Sequence, residues 1–356
     1  MKCGGKATIK CGEKNKDMTK NKHLIISFLW LLIHLTLHAQ DFHFSGNNQV
    51  PMYLNPAMTG FIDGYQNRAL IKHRNQWSSI LDQDAFKTYA VSLETRICDH
   101  NFWGFGGFLM KDQSGTPSFA TTQGLFSVSY HHNLGRQKYL AAGVNAGFIN
   151  YQIEDNLTFP EQFDGDIGFD LGRPNFENLA DFNANLLDMG LGILLYQNQG
   201  KQKWYLGMAL QHINTSTAYV FKQSNTQNTI QLRMRKTIHG GLAIVSNKNS
   251  ELFLKGSFQW QVPHWQSVMG LYTRINSVNI GVGARFTKNQ PKEFQPPLID
   301  AIILSFNYRF EGVALGFSYD LNVSPLKTAT NFRGAFELTA VYAFGDNKEC
   351  MYCPTF

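Results

Sequence analysis

The sequence predicts an all-β chain: an outer-membrane β-barrel of about fourteen antiparallel strands, preceded by a signal peptide. Three observations carry that prediction. Segments of about ten residues, the length a tilted strand needs to cross a bilayer, alternate apolar residues with small or polar ones. The connections between these segments sort by position into a short set and a long set. No apolar run reaches the ~18 residues of a spanning helix, although 43% of the 356 residues are hydrophobic.

The last strand, Arg333 to Phe344, displays the pattern best. Phe336, Leu338, Ala340, Tyr342 and Phe344 fall on one face, and Arg333, Ala335, Glu337, Thr339, Val341 and Ala343 on the other, because alternate residues of a strand point opposite ways. A soluble sandwich would turn the apolar face inward. A barrel in lipid turns it outward and lines its lumen with the polar face.

In chain order, residues 1–39 read as a leader. Lys20 and Lys22 supply a basic start, Leu24 to Leu37 an apolar core interrupted by His34, and Ala39 a cleavage site, so that Gln40 opens the mature chain. Residues 1–17 are polar and basic ahead of this signal, and translation is expected to begin at Met18. The formal charge of +6 belongs mostly to the leader: without its seven lysines and two acids, 25 basic and 24 acidic residues remain. That balance gives no reason to expect nucleic-acid binding. Cys98, Cys350 and Cys353 remain after Cys3 and Cys11 leave with the leader, too few for a disulfide framework. No Cys follows the apolar core to carry a lipoprotein anchor.

Residues 40–67 are expected to form a periplasmic N-terminal arm. Phe42 to Phe61 reads FHFSGNNQVPMYLNPAMTGF, rich in Asn, Pro and Gly and therefore irregular rather than extended. The barrel is expected over 68–344. Its strands are placed at 68–77, 86–96, 102–110, 123–133, 139–151, 187–197, 204–213, 236–247, 251–261, 266–275, 278–287, 300–310, 312–322 and 333–344 by their alternation. Connections after even-numbered strands are short, as at Asn276–Ser277 and Glu311, and those after odd-numbered strands are mostly long, as at Gln152–Leu186 and Asn214–Arg235; Val262–Trp265 is the exception. Short turns on the periplasmic rim and long loops outside is the outer-membrane arrangement. It places the arm and a C-terminal tail, 345–356, in the periplasm. Most charged strand residues, among them Glu94, Arg96, Lys255, Arg285, Arg309, Asp320, Arg333 and Glu337, share the polar parity.

Several words of the sequence resemble the PorP/SprF family of type IX secretion outer-membrane proteins. They are Phe44-Ser45, Met52-Tyr53-Leu54-Asn55-Pro56-Ala57, Thr59-Gly60 and Arg74-Asn75-Gln76-Trp77, together with the ending Cys353-Pro354-Thr355-Phe356. The similarity spans essentially the whole mature chain, with Gly46-Asn47-Asn48-Gln49 departing from the family's Gln-rich stretch. The resemblance implies a non-enzymatic component of type IX secretion in Bacteroidota-type bacteria, aiding export or surface attachment of particular adhesin-like cargo, and in some members gliding. It implies cargo C-terminal domains and periplasmic machinery proteins as partners, besides outer-membrane lipid. Tyr53, Asn55, Pro56 and Gly60 are the candidate partner or plug contacts, with a turn-fixing role as the alternative. Asn75, Gln76, Trp77, Cys353 and Pro354 are further candidates; Trp77 also suits the membrane–water boundary. A passive channel for small or hydrophobic solutes is the rival reading.

No cofactor or metal is expected. Cys350 and Cys353 form a CxxC without the βαβ context of a redox motif and without the second pair of a zinc site. His131 and His132 are consecutive on a strand and point to opposite faces. Gly104-Phe105-Gly106-Gly107 continue a strand instead of opening a helix, so close packing in the wall is expected rather than a phosphate cradle. The loop Gln152–Leu186 carries Glu154, Asp155, Glu161, Asp164, Asp166 and Asp170; a solvated loop or lumen plug is expected, with calcium binding the alternative.

Overall fold

The structure is a computed structural model that describes residues 41–345 except 46–49, 82–84, 98–100, 116–118, 154–159, 165–167, 171, 174–182, 200–201, 220–228, 248–249 and 289–297. The leader with its signal peptide, Cys98, the tail with Cys350, Cys353 and Pro354, and the acids Glu154, Asp155 and Asp166 lie outside the described residues.

The strands are β1 (Asn67–Gln76), β2 (Phe86–Ile97), β3 (Phe102–Ser114), β4 (Phe119–Gly135), β5 (Lys138–Ile153), β6 (Phe163–Asp164), β7 (Gly168–Phe169), β8 (Asn183–Gln199) and β9 (Gln202–Gln211). They continue with β10 (Thr217–Tyr219), β11 (Thr229–Gln231), β12 (Arg235–Ser246), β13 (Ser250–Gln261), β14 (His264–Ile275), β15 (Val278–Lys288), β16 (Leu298–Phe310), β17 (Val313–Asn322) and β18 (Arg333–Phe344). Fourteen of them close into one antiparallel barrel; β6 with β7 and β10 with β11 form two small hairpins in the long loops. β1 joins β18 from Asn67↔Phe344 to Gln76↔Ala335, so the sheet has no open edge.

All fourteen expected strands are present. β4 and β8 begin four residues earlier than their sequence pattern suggests. In those stretches the alternation against lipid has ended, yet the ladder continues, pairing Phe119 with Ile153 and Asn183 with Gln152. Ile149, Tyr151, Ala184, Leu186 and Leu232 form a buried apolar cluster there. Three of the expected short turns are two-residue hairpins, and in two of them both residues have positive φ: Arg136 and Gln137 (51° and 55°), and Glu311 and Gly312 (45° and 82°). That conformation matches the twist of the flanking strands.

Side-chain parity follows the barrel rule. Ile71, Leu93, Leu191, Leu254, Phe306 and Leu338 point outward and are exposed, while Glu94, Arg96, Lys255, Arg285, Asp320 and Glu337 are buried in the lumen. A charge on the lipid face near mid-membrane would cost about 2–4 kcal/mol, so this sorting is energetically enforced. No helix among the described residues is long and apolar enough to cross a membrane.

The lumen is not empty. Residues 42–45 and 50–62, expected in a periplasmic arm, lie inside the barrel. Pro51–Leu54 form one helical turn and Pro56–Met58 a 3-10 turn. Proline suits the first position of each, where its missing N–H has no helical partner, and the Asn55 side chain caps the second by accepting from the Ala57 N–H at 2.9 Å. The irregular local structure read from the sequence is present; the location differs, because the wall supplies an apolar bed. Leu54, Ala57, Met58 and Phe61 pack on Phe102, Tyr139, Ala141, Leu194, Tyr196 and Tyr205. Phe44, Val50, Met52 and Tyr53 pack on Leu70, Ala90, Phe108, Met110 and Leu125. In water these side chains would be exposed; burying each stabilises by about 1.5–3 kcal/mol.

Candidate functional site: a plugged lumen

The plug rises from the rim that carries the short turns. There Asp63 reaches Arg309 at 3.5 Å. Gly60, with φ of 71°, turns the chain inward, and its N–H donates to Glu94 Oε2 at 3.1 Å. Glu94 is held in turn by Arg68 at 2.8 Å. The wall is shaped for the close approach. A Cβ on Gly104 would lie 2.2 Å from the Thr59 carbonyl oxygen, and one on Gly143 2.4 Å from the Pro56 carbonyl carbon. Both obstacles are backbone, so a side chain at either position would force the plug to move. Gly104 and Gly106 therefore serve close packing against the plug, a Cβ on Gly106 falling 2.6 Å from Met52 Sδ, while Gly107 faces outward into open space.

Asn55 is fully buried at the centre of this contact. Its Nδ2 donates to the Ile193 carbonyl at 3.0 Å and the Met208 carbonyl at 3.3 Å, and lies 2.9 Å from His239 Nε2. His131 meets the Thr59 carbonyl at 3.1 Å and the Tyr196 hydroxyl at 3.1 Å, whereas its neighbour His132 faces outward. Further up, the Tyr53 hydroxyl donates to the Phe42 carbonyl. The Arg235 guanidinium lies 4.4 Å over the Tyr53 ring and donates to its hydroxyl at 2.6 Å and its carbonyl at 3.2 Å.

The upper end of the plug closes on an ion cluster. Ser45 N–H donates to Glu337 Oε1 at 2.6 Å, and Ser45 Oγ donates to Asp320 Oδ2 at 2.5 Å. The same Oγ accepts from Arg74 at 2.5 Å and Arg285 at 3.1 Å. Around it, Lys72 and Arg74 each reach Glu337 at 2.7 Å. Arg285 reaches Asp320 at 2.8 Å and Asp300 at 2.7 Å. Three cations meet three carboxylates, so the cluster is neutral, the condition under which buried charges are tolerated. Phe44 lies beneath it, 5.0 Å from Lys72 Nζ. A second buried polar group joins Asp188 to His212 at 2.7 Å and to Gln123 at 2.7 Å.

Of the sequence candidates, Tyr53, Asn55, Pro56 and Gly60 come together in the plug. Asn75, Gln76 and Trp77 stand apart at the opposite end of β1. Gln76 accepts from Arg74 at 3.0 Å. The Trp77 N–H donates to the Gly334 carbonyl at 3.0 Å, and its ring meets Phe86 edge-on at 5.4 Å. Sequence reasoning singled out neither Ser45 nor Lys72 as a site residue. The signal was present: buried-parity charges on β1, β15, β17 and β18 need partners, and Phe44-Ser45 is one of the words that carry the family resemblance.

The plug leans on β2–β9 and leaves a cavity of about 230 Å³ on the other side, against β13–β18. Pro51, Met58, Phe61 and Ile62 form its plug wall; the turn residues Asn276, Ser277 and Gly312 line its lower end, at the short-turn rim. No group of three or more His, Cys, Asp or Glu poised for a metal occurs among the described residues. The acidic loop's described part includes the 3-10 turn Pro160–Gln162 with Glu161, the β6–β7 hairpin, and Asp170 beside Arg173 at 3.9 Å.

Among solved structures, a TodX monoaromatic hydrocarbon channel mutant is similar at 12% identity, TM-score 0.49, over 85% of this chain and 95% of that one. The toluene transporter TbuX of Ralstonia pickettii is similar at 11% identity, TM-score 0.48, over 84% and 94%. The CymD monoaromatic hydrocarbon channel is similar at 10% identity, TM-score 0.49, over 83% and 93%. No curated protein matches the sequence. The model of the type IX secretion system membrane protein PorP/SprF matches residues 36–342, which include the whole plug and all but the last two residues of the barrel. This chain belongs to the PorP/SprF family and is an outer-membrane component of type IX secretion.

Proposed function

We propose that this barrel aids export or surface attachment of a specific, adhesin-like cargo protein, binding the cargo's C-terminal domain without catalysis. The short-turn rim faces the periplasm and the secretion machinery, and the long loops face outward. The observation that carries this reading, beside family membership, is the filled lumen. A segment tied to the wall by Asn55, Thr59, Gly60, Tyr53 and Ser45 is suited to a closed docking platform rather than an open pore. Binding energy for a folded partner then has to come from the rims and loops. Lipid is the other constant partner, through the outward apolar face. In gliding relatives of the host, the cargo would be the motility adhesin.

A second reading, a passive channel for small or hydrophobic solutes, is favoured by one feature, the cavity beside the plug. Deleting the gene and comparing the exported and surface proteomes with the parent separates the two. Loss of one or a few surface proteins carrying a secretion C-terminal domain, with solute uptake unchanged, is the expected result. Unchanged export with altered uptake of small solutes would overturn it.

A further inference from the structure

The cavity beside the plug has a charge that no described residue balances. Of the cations that line it, Arg68 is paired with Glu94 at 2.8 Å, Arg274 with Glu251 at 2.5 Å and Arg309 with Asp63 at 3.5 Å. Lys255, also on the cavity wall, is 93% buried and meets no carboxylate or hydrogen-bond acceptor among the described residues. Its ammonium lies 4.9 Å from the Tyr272 ring and 5.8 Å from the Phe253 ring. Two aromatic faces offset part of the cost of removing an ammonium from water, but that cost amounts to several kcal/mol. A second polar group points the same way. The Ser305 hydroxyl is buried, lines the cavity and has no hydrogen-bond partner among the described residues. Both flank one ring: a Cβ on Gly281 would lie 2.2 Å from Tyr272 and 2.5 Å from Ser305 Oγ. Leu70, Phe61, Val268 and Ile303 give the wall an apolar stretch beside polar lining residues such as Ser257, Asn279, Asn307 and Ser318.

We propose that this cavity binds a small monocarboxylate with an apolar body, its carboxylate on Lys255 and Ser305 and its hydrocarbon against Leu70, Phe61, Val268 and Ile303. An ammonium and a hydroxyl donor on one side of a pocket with greasy walls complement a single negative charge on a hydrophobic group. The space sets the size. At about 230 Å³, the cavity has room for an acid the size of hexanoate or benzoate. The ligand enters at the short-turn rim, where Asn276 and Ser277 line the opening. The site exists because the lumenal wall there carries small residues, Ser257, Ser305, Gly316 and Ser318, while the plug is drawn to the opposite wall.

The test is calorimetric titration of the full mature chain in detergent at neutral pH with hexanoate and benzoate, and with hexanol and benzyl alcohol as uncharged counterparts. The carboxylates should bind saturably, about 10–100-fold more tightly than the alcohols, the range expected for hydrogen bonds to a charged group. Lys255→Met should abolish that preference, Lys255→Arg should keep it, and Ser305→Ala should weaken carboxylate binding several-fold in a barrel of unchanged heat-modifiability. Equal affinity for acid and alcohol, absence of carboxylate binding to the unaltered protein, or a Lys255→Met barrel that keeps the preference would each overturn the proposal. Should Lys255→Met fail to fold, the acid–alcohol comparison and Ser305→Ala decide. Cargo export is not a readout here, so the outcome is independent of the secretion role.

Discussion

Replacing Asn55 by Ala should loosen the plug while leaving the barrel intact. Asn55 makes two donor bonds to wall carbonyls, Ile193 at 3.0 Å and Met208 at 3.3 Å, meets His239 at 2.9 Å and caps the 3-10 turn through Ala57 at 2.9 Å. Two net hydrogen bonds contribute about 1 kcal/mol each, and leaving a buried partner such as His239 unmatched costs about 1–3 kcal/mol. The lost cap adds about 1 kcal/mol. The sum, about 4–6 kcal/mol, raises the undocked fraction of the plug by about 10³–10⁴. Apolar contacts of Leu54, Met58 and Phe61 remain, so the segment opens more often without leaving. Hydrogen exchange of the purified protein reads this directly. The Met58, Thr59 and Phe61 amides, which donate to Asn55, Pro56 and Met58, should lose protection by about that factor, while the barrel strands keep theirs. Unchanged exchange over 50–62 would refute the assignment of Asn55 as the anchor. Loss of protection throughout the barrel would refute the separation of plug from wall.

Other perturbations follow from the same geometry. Gly143→Val should displace the plug, because even its Cβ would stand 2.4 Å from backbone at Pro56; bilayer conductance should rise from near zero to a measurable pore. Glu337→Gln removes one carboxylate partner from both Lys72 and Arg74, and breaking a buried pair costs about 3–5 kcal/mol. The temperature at which the folded band disappears on a heat-modifiability gel should fall clearly. Leu191→Lys, on the lipid face of β8, should lower folding stability in liposomes by about 2–4 kcal/mol.

Much of this arrangement is legible in the residues taken in order. A strand's two faces are set by neighbours two positions apart, so Phe336, Leu338, Ala340 and Tyr342 declare a lipid face whatever lies across the barrel. The alternation lost its voice only where lipid ends, at the extensions of β4 and β8, and in the β6–β7 and β10–β11 hairpins, which have too few residues to show a period. In β3 the lumenal residues Phe102, Phe108 and Met110 are as apolar as the outward Trp103 and Leu109. That doubled hydrophobicity was a trace of something covering the lumen.

Sequence alone thus determined the barrel, its strand count and which residues meet hydrocarbon, because those follow from local periodicity and from the cost of charge in lipid. Tertiary structure alone decided that the N-terminal segment fills the lumen. Ser45 meets Glu337 across 292 residues of chain, a contact that exists only once β1 has closed against β18. A lumenal Arg74 or Glu337 carries the same parity whether it faces water in a pore or a serine in a plug, so only the closed barrel distinguishes them.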